Sequence, residues 1–585
     1  MNIMRINYTN VGIIFSLVVV LYIFYKLSHY SSERNLPASV TPRTSNKLPT
    51  ESSIDLKSLA SVAKAGLFDV SLRQAQETIE ALKKQLAEAE VSRLDTVQKK
   101  DMEPVKRKFS GHKLVHLDLK GAPTKMTFLI QVLPYFKKWG ATGLLVEYED
   151  MFPYKAKYEV LQAKNSYSEA EIKQLLETAA ANDLIVIPLV QTFGHLEFVL
   201  KHKEFAYLRE TEHYTNSLCP NNKDSVPMVI ELIDQVLALH PGLQWFHIGG
   251  DEVWNLKTCP VCLKDARNKS ELFVHHMKPI LKHLQGKKVT PIMWDDMMRY
   301  WPLEYLKELG PLVEPMVWAY RSDLTGYFPP DMWQRYGKAF KKIWAASAFK
   351  GATHPWSNFV PIGFHVQNNL YWLDIISKLP STLEVNGVAL TGWSRYDHYA
   401  TLCELLPAAL PSLAFCLGAL SEGYMDEELR KVLAKGLGLP ETFPLNVERF
   451  NNRFHPAEGT FPGHELYTLV SHLEKAVFFT RGVGNIEQSW LLDREVQNKF
   501  LSYFQVEMAY NRTMKALQIL RSVQSKVPKV FNPVYDDSVV KEWTKDKIDD
   551  GINHLNGVKP RLEELRKIAS GKEEKQEKST VKEKS

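Results

Sequence analysis

Cysteine is scarce in this chain, since only five occur among 585 residues. A low, odd number excludes the disulfide framework of a small secreted protein. Cys259 and Cys262 form the one CxxC motif, but a structural zinc site needs two further ligands, and Cys219, Cys403 and Cys416 are distant in sequence. We therefore expect a surface turn with free or paired thiols, and neither a metal ion nor another cofactor.

Strong net charge is also lacking, because the formal charge is only +6. No stripe of Lys and Arg interleaved with aromatic residues occurs, which argues against a nucleic-acid partner. No GxGxxG motif follows the first predicted strand, which argues against a dinucleotide-binding open sheet. Aromatic residues are plentiful at 11%, including 13 Trp, and indole faces suit both a carbohydrate site and a large core.

The first long apolar run covers residues 11–25 and carries no charge. With its flanks it approaches the ~20 residues that cross a bilayer, so we predict an N-terminal tail and transmembrane signal anchor over 1–27. A cleaved signal peptide is the alternative, but Lys26 and His29 follow where a cleavage site would need small residues. More basic residues follow the run than precede it, which favours a cytosolic catalytic domain over a lumenal one.

The segments on either side of the predicted catalytic domain differ in composition. We interpret residues 28–108 as a stem whose apolar positions at about 65–90 form a coiled-coil seam. Such a seam predicts a homodimer, and the alternative is that this segment is a lone amphipathic helix. Residues 426–570 contain long helical stretches such as 495–523 and predict a C-terminal helical domain. Residues 571–585 form a mixed-charge tail that cannot bury a core and is predicted to be disordered.

Residues 109–425 alternate β-branched runs with amphipathic helices. Eight strands separated by helices predict an α/β fold, a (β/α)8 TIM barrel, with a doubly wound open sheet as the alternative. The predicted strands are 113–119, 142–148, 184–190, 244–250, 289–294, 313–318, 342–347 and 386–393. The predicted helices include 168–182, 223–239, 270–285 and 365–378.

Polar and aromatic side chains gather where these predicted strands end, which is where the reaction site of a TIM barrel lies. Any one of them has a plain structural explanation, since Trp is often in a core and a terminal Asp is often a helix cap. Their convergence on one rim favours a binding site. The residues are Asp118, Lys120, Glu147, Glu149, Asp150, Gln191, His195, Asp251, Glu252, Trp294, Asp295, Asp296, Trp318, Tyr320, Trp344, Phe349, Lys350, Trp393 and Arg395.

The sharpest local pattern is HIGGDEV, residues 247–253. Its two glycines allow a tight turn at the strand end, and like charges at Asp251 and Glu252 raise the pKa of at least one carboxyl, as a general acid requires. A solvated acidic pair that caps the next helix is the alternative.

This segment resembles the catalytic signature of glycoside hydrolase family 20, the β-N-acetylhexosaminidases. Four further segments are similar to the hexosaminidase D branch of that family: LVHLDLKGAP (114–123), QTFGHLEF (191–198), ASAFKGA (346–352) and TGWSRYDHY (391–399). The similarity spans roughly residues 109–530. The hexosaminidase D branch implies a location in the cytoplasm or nucleus and N-acetylhexosamine-containing glycans as partners.

The resemblance implies retaining hydrolysis in which the substrate's acetamide is the nucleophile. Glu252 is then the general acid, and Asp251 holds the acetamide N–H. His195 supports the acidic pair, and Tyr320 contacts the acetamide oxygen. The remaining substrate-binding candidates are Asp118, Trp294, Asp295, Trp318, Trp344, Trp393 and Arg395.

The sequence departs from the lysosomal members of the family at two positions. Lys113 stands where they have Arg, five residues before Asp118, and Arg395 stands where they have an acid, two residues after Trp393. Both departures concern contacts to the sugar hydroxyls, so the choice between N-acetylglucosamine and N-acetylgalactosamine stays open.

Three other functions compete with this interpretation. Asp295 and Asp296 resemble the consecutive aspartates of O-linked N-acetylglucosamine hydrolases. A catalytically inactive, membrane-tethered carbohydrate-binding protein is the second alternative. A metal hydrolase built from His195, His247 and Asp251 is the third, although no second shell for its ligands is identifiable.

Overall fold

The computed structural model describes residues 108–445 and 459–571. The predicted membrane anchor at 11–25, the coiled coil at 65–90 and the charged tail beyond Gly571 lie outside the described residues. None of the helices in the two described stretches is both long enough and apolar enough to cross a bilayer.

Eight parallel strands close into a barrel, which confirms the predicted TIM-barrel architecture. Their spatial order is β1-β2-β3-β6-β7-β8-β9-β10, with β10 returning to β1. A two-stranded antiparallel hairpin, β4–β5, projects from the loop after β3. The strands are β1 (His112–Asp118), β2 (Gly143–Glu147), β3 (Ile185–Leu189), β4 (Arg209–Thr211), β5 (Tyr214–Leu218), β6 (Trp245–His247), β7 (Thr290–Trp294), β8 (Glu314–Trp318), β9 (Lys342–Lys350) and β10 (Glu384–Gly392).

The barrel strands are apolar on both faces because each lies between the barrel interior and the surrounding helices. In β1, for example, every residue after His112 is buried. Alternate side chains fill the interior and form a cluster separate from the core under the helices. That interior cluster includes Leu114, Leu145, Ile187, Ile292, Met316, Ala346 and Ala389.

The helices between the strands confirm the four predicted helical segments. Two of them begin with capping boxes, Ser168 with Glu171 and Asn268 with Glu271, in which each side chain bonds the other residue's backbone N–H. The helices are α1 (Met126–Lys138), α2 (Glu169–Ala181), α3 (Glu197–Leu200), α4 (Ser225–Leu239), α5 (Pro260–Lys264), α6 (Lys269–Gly286), α7 (Leu303–Leu309), α8 (Met332–Ala339), α9 (Ile362–Ser377) and α10 (Leu406–Glu422).

Six further helices follow the barrel in the part of the chain that the structure describes. The hydrophobic core continues into them, since Phe531 and Trp543 belong to the same cluster as the barrel helices. The predicted continuous helix at 495–523 is wrong in its first part. The chain leaves the helical conformation at Lys499, where φ is 53°, and resumes it at Tyr503. These helices are α11 (Glu427–Gly436), α12 (His464–Trp490), α13 (Asp493–Gln497), α14 (Tyr503–Phe531), α15 (Asp537–Thr544) and α16 (Asp550–Ala569), with a π-helical turn at Lys545–Asp549.

Two strands end three residues from their predicted ends, and both differences affect the site. Strand β6 stops at His247 because Gly249 and Gly250 adopt left-handed conformations, with φ of 59° and 85°. Strand β9 continues to Lys350, beyond the predicted end at 347, and this leaves Trp344 near its amino end.

Candidate active site

Asp251 and Glu252 follow β6 at the carboxyl-terminal edge of the barrel. The turn that delivers them requires glycine at position 249, because a Cβ there would lie 1.9 Å from Gln191 Oε1 in addition to the left-handed backbone. Glu252 itself has a φ of 49°, which is uncommon for a residue with a side chain. Strained conformations of this kind concentrate at functional sites.

His195 reaches the same place from the loop after β3. Gly194 makes this possible, since a Cβ at that position would lie 2.0 Å from the carbonyl oxygen of Asp251. His195 also has a left-handed φ of 50°. Its Nε2 lies 3.2 Å from Glu252 Oε2 and 3.5 Å from Asp251 Oδ2. The structure therefore brings together the three residues to which the sequence assigned the chemistry.

The electrostatics of this triad follow from its burial and its two acids. Burial raises the pKa of Asp251 to about 8, although the neighbouring His195 opposes the shift. Burial also disfavours a charged His195, but the charge of Asp251 and the hydrogen bond with Glu252 raise its pKa to about 10. His195 therefore holds a proton at neutral pH, and its positive charge favours the ionised form of Asp251 against the effect of burial.

Three buried polar atoms at or just beyond the carboxyl ends of β6 and β7 have no hydrogen-bond partner among the described residues. They are Asp251 Oδ1, an acceptor, Trp294 Nε1, a donor, and His247 Nε2. Buried polar atoms are nearly always paired, since an unpaired one costs about 1–3 kcal/mol. Unpaired atoms of this kind at a rim of aromatic side chains indicate the place of a polar ligand.

Aromatic side chains surround these atoms. The ring centroids of Trp294 and Trp393 lie 6.2 Å apart, and Trp318 stacks on Tyr320 with centroids 5.2 Å apart. Burial raises the pKa of the Tyr320 phenol, and the charges of Asp251 and Glu252 raise it further, so its hydroxyl remains protonated and can donate a hydrogen bond. Aromatic faces beside a few polar groups are typical of sugar sites.

Trp344 does not belong to this rim, contrary to the sequence-based expectation. It lies at the opposite, amino-terminal end of the barrel, where its ring stacks at 5.9 Å on that of His112, the first residue of β1. Its Nε1 donates to Glu314, which also accepts from Trp245. The expectation was wrong because β9 extends six residues beyond Trp344.

The two consecutive aspartates after β7 have different surroundings. Asp295 is fully buried and accepts two hydrogen bonds from Arg299, at 2.8 and 2.9 Å, and one from Tyr336. Because both of its carboxylate oxygens already accept hydrogen bonds, Asp295 is not available for the substrate contact that was expected from the sequence. Asp296, which was not among the expected substrate contacts, accepts the backbone N–H of Glu252 at 3.0 Å. Because Asp295 is paired within the protein and Asp296 binds the backbone of Glu252, these contacts do not support the alternative in which the two aspartates form a catalytic pair.

Asp118 and Arg395 are likewise engaged within the protein. Asp118 accepts the backbone N–H groups of Lys120 and Ser394, and so joins the ends of β1 and β10. Arg395 pairs with Glu542 of α15, a partner that no sequence pattern indicated. The expected roles of both residues in sugar binding therefore have no support from these contacts.

Other polar residues support the site, and several of them were predicted from the sequence to lie on the rim but were given no role. Glu147, at the end of β2, is fully buried and bonds His116 at 3.0 Å and Gln191 at 3.1 Å. Farther along the same rim, Glu149 accepts from Lys120 and from His398. Most of these residues lie at or just after strand ends, so their place on the rim could be predicted from the sequence. Their hydrogen-bond partners could not, because the partners lie on strands that are remote in sequence.

The barrel with this acidic rim matches known proteins. Residues 127–324 match the family model of the glycosyl hydrolase family 20 catalytic domain. Hexosaminidase D of Homo sapiens is 38% identical to the chain over 466 residues, which cover 77% of this chain and 94% of that protein. The chain belongs to glycosyl hydrolase family 20.

Other family 20 proteins are similar as well. Hexosaminidase D of Bos taurus is 44% identical over 346 residues, covering 58% of this chain and all of that protein. A solved β-N-acetylhexosaminidase from Bacteroides fragilis is 16% identical, with a TM-score of 0.42, over 56% of this chain and 70% of that chain. Within this family 20 chain, His195, Asp251 and Glu252 lie inside the residues that the family model matches, and Trp393 lies beyond them.

Proposed function

We propose that this family 20 glycosidase is a β-N-acetylhexosaminidase that removes terminal non-reducing N-acetylgalactosamine or N-acetylglucosamine by substrate-assisted, retaining catalysis. The relatives named hexosaminidase D support the activity. The observation that carries the mechanism is the unpaired, buried Oδ1 of Asp251. An acceptor in that position is what an acetamide N–H requires, and it lies on the residue adjacent to Glu252.

In the first step the proton of the Glu252 carboxyl passes to the glycosidic oxygen. The bond between C1 and that oxygen breaks as the acetamide carbonyl oxygen attacks C1, which gives an oxazolinium ion and releases the aglycone alcohol. Asp251 accepts the acetamide N–H and stabilises the positive charge that develops. The hydroxyl of Tyr320 donates to the acetamide oxygen, and Trp294, Trp318 and Trp393 surround the sugar.

In the second step the Glu252 carboxylate takes a proton from water. The water oxygen attacks C1, the oxazolinium ring opens, and the sugar leaves with its original β configuration. His195 bonds the same carboxylate at 3.2 Å, so it orients Glu252 through both steps.

A turnover assay with the variant Glu252→Gln tests the acid. We expect kcat to fall by about 10²–10⁴ on glycosides with poor leaving groups, and less on nitrophenyl glycosides, whose leaving group needs little protonation. Glu159→Gln, at an exposed position, is the matched control. Near-normal turnover of Glu252→Gln on alkyl glycosides would overturn the assignment.

Substrates and inhibitors test the nucleophile separately. Hexosides without the 2-acetamide group should be hydrolysed very poorly, and a thiazoline analogue of the oxazolinium should bind far more tightly than substrate. A covalent adduct on Asp251, Glu252 or Asp295 after treatment with a 2-fluoro hexoside would contradict the substrate-assisted mechanism. Rates on paired glucosaminide and galactosaminide substrates then decide the preference at C4.

The location proposed for the enzyme rests on the sequence alone. The uncharged run at 11–25 anchors it in a membrane with the catalytic domain on the cytosolic side. Full-length protein should resist carbonate extraction, whereas Val19→Arg should release it, because a central Arg costs about 2.5–3.5 kcal/mol. Asn268 and Asn511 lie in N-x-S/T sequons, which are glycosylated only in a lumenal compartment. A glycan at either residue would therefore contradict a cytosolic catalytic domain. Cross-linking through the 65–90 segment tests the proposed homodimer.

A further inference from the structure

Three cysteines and one glutamate converge in the loops that follow β3 and β6, although the sequence separates them. Glu210 lies in β4, and Cys219 directly follows β5. Cys259 and Cys262 lie at the beginning of α5, in the segment that follows Glu252. Their ligand atoms all lie within 4.8 Å of one another. The CxxC motif lacked two further ligands in the sequence, and the fold supplies them.

The distances in this cluster fit a tetrahedral ion. Cys219 Sγ lies 3.6 Å from Cys259 Sγ and 3.5 Å from Cys262 Sγ, and Cys262 Sγ lies 3.3 Å from Glu210 Oε2. Tetrahedral Zn²⁺, with Zn–S of about 2.3 Å and Zn–O of about 2.0 Å, separates two sulfurs by about 3.8 Å and a sulfur from an oxygen by about 3.5 Å. The observed distances agree with these values to within a few tenths of an ångström.

The groups around the cluster orient these ligands. The backbone N–H of Cys262 donates to Cys259 Sγ at 3.2 Å, and Asn221 Nδ2 donates to Cys262 Sγ at 3.3 Å. Glu210 Oε1 accepts the N–H groups of Thr258 and Cys259, at 2.7 and 3.0 Å. Such donors stabilise thiolates and carboxylates that bind a metal.

The surroundings of Glu210 point to a cation rather than to free thiols. The residue is 1% exposed, and its hydrogen-bond partners are backbone amides and cysteine thiols, none of which carries a positive charge. A buried carboxylate of this kind is costly unless a cation compensates it. Its Oε2 accepts from Cys262 Sγ, and this oxygen is the one that faces the sulfurs.

We propose that Glu210, Cys219, Cys259 and Cys262 bind one structural Zn²⁺. Binding releases the three thiol protons to solvent and involves no oxidation or reduction. Four protein ligands leave no open position, so the ion takes no part in hydrolysis. Soft thiolate ligands favour zinc over the hard cations Mg²⁺ and Ca²⁺.

The ion joins the two loops that carry the catalytic residues. The loop after β3 holds His195, Glu210 and Cys219, and the segment after β6 holds Glu252, Cys259 and Cys262. Hydrogen bonds between the same loops, Asn255 to Asn216 at 2.9 Å and Thr258 to Thr211 at 2.8 Å, are exposed or only partly buried. Zinc therefore fixes the distance between His195 and Glu252, which hydrogen bonds in contact with water hold only weakly.

Metal analysis of the full-length protein tests the proposal without an activity assay. Protein dialysed against metal-free buffer should retain about one zinc per chain, as a closed structural site does. Cys262→Ser and Glu210→Gln should each lose most of it, and Cys416→Ser, in α10 outside the cluster, should retain it. Cobalt substituted for zinc should give the intense visible absorption of a tetrahedral thiolate site in the wild type and in Cys416→Ser, and not in Cys262→Ser or Glu210→Gln.

Removal and return of the ion test its role. Chelated protein should melt at a lower temperature and show a lower kcat, and added Zn²⁺ should restore both. Wild-type protein purified without metal would overturn the proposal even if the variants fail to fold. A disulfide between any two of the three cysteines, found by peptide mass spectrometry without reduction, would overturn it as well. Loss of activity with intact zinc would count against the proposed function instead.

Discussion

Replacement of Asp251 by Asn tests the mechanism most directly. The side chain keeps its size in a site where Asp251 is 7% exposed, but Asn cannot ionise to the carboxylate that stabilises the oxazolinium. Oδ1 of Asp251 has no partner in the described residues, so the substitution breaks no hydrogen bond of that atom in the free enzyme. The missing interaction is then one made with the substrate, and it strengthens as positive charge develops.

The size of the effect follows from that reasoning. Removing one preorganised stabiliser of transition-state charge lowers kcat by about 10²–10³, or about 2.7–4 kcal/mol. KM should change little, because the charge being stabilised is absent from the bound substrate. Steady-state rates on a nitrophenyl N-acetylhexosaminide measure both quantities, with the exposed Asp493→Asn as the control.

Stability at different pH values separates this loss from unfolding. Because the pKa of Asp251 is raised from 3.8 to about 8, its contribution to stability is fully present below pH 3.8 and is lost as the pH rises through 8. A neutral Asn avoids that loss, so Asp251→Asn should melt no lower than wild type above pH 8. A variant with normal kcat, or one whose KM alone rises, would refute the role given to Asp251.

Three further variants probe the surrounding structure. His195→Gln should melt at a lower temperature than wild type, and the difference should be largest below pH 6.5 and disappear as the pH rises through 10. The reason is that the two acids raise the pKa of His195 from 6.5 to about 10. A difference in melting temperature that does not change with pH would contradict the pairing of His195 with the acids. Gly194→Ala should lower kcat and the melting temperature, by about 1–3 kcal/mol of stability, because its Cβ would meet Asp251 O; unchanged kinetics would show that the loops can separate. Arg395→Gln should lower the melting temperature and leave KM unchanged, because Arg395 pairs with Glu542; a raised KM would return it to the sugar site.

Local pattern predicted the position of residues at the barrel edge where one short segment supplies several of them. The segment 247–253 holds Asp251 and Glu252 together with the glycines that turn the chain, so their place at the barrel edge was visible in the sequence. His195 also follows a strand directly, after a glycine. Where a strand end depended on β-bridging, as at β9, the prediction misplaced Trp344, because the neighbouring strand β10 pairs with β9 as far as Lys350.

The sequence by itself determined the barrel and its acidic rim, because hydrophobic periodicity and strand-end residues are local properties of the chain. Only the tertiary structure decided which rim residues remain available. Asp295 and Arg395 are charged residues that closely follow strands. In the structure, however, Asp295 forms an ion pair with Arg299, and Arg395 forms one with Glu542. Glu210 and Cys219 join Cys259 and Cys262 only because the loops after β3 and β6 lie side by side. Pairing of charges and ligands depends on distance in space, which no spacing along the chain records.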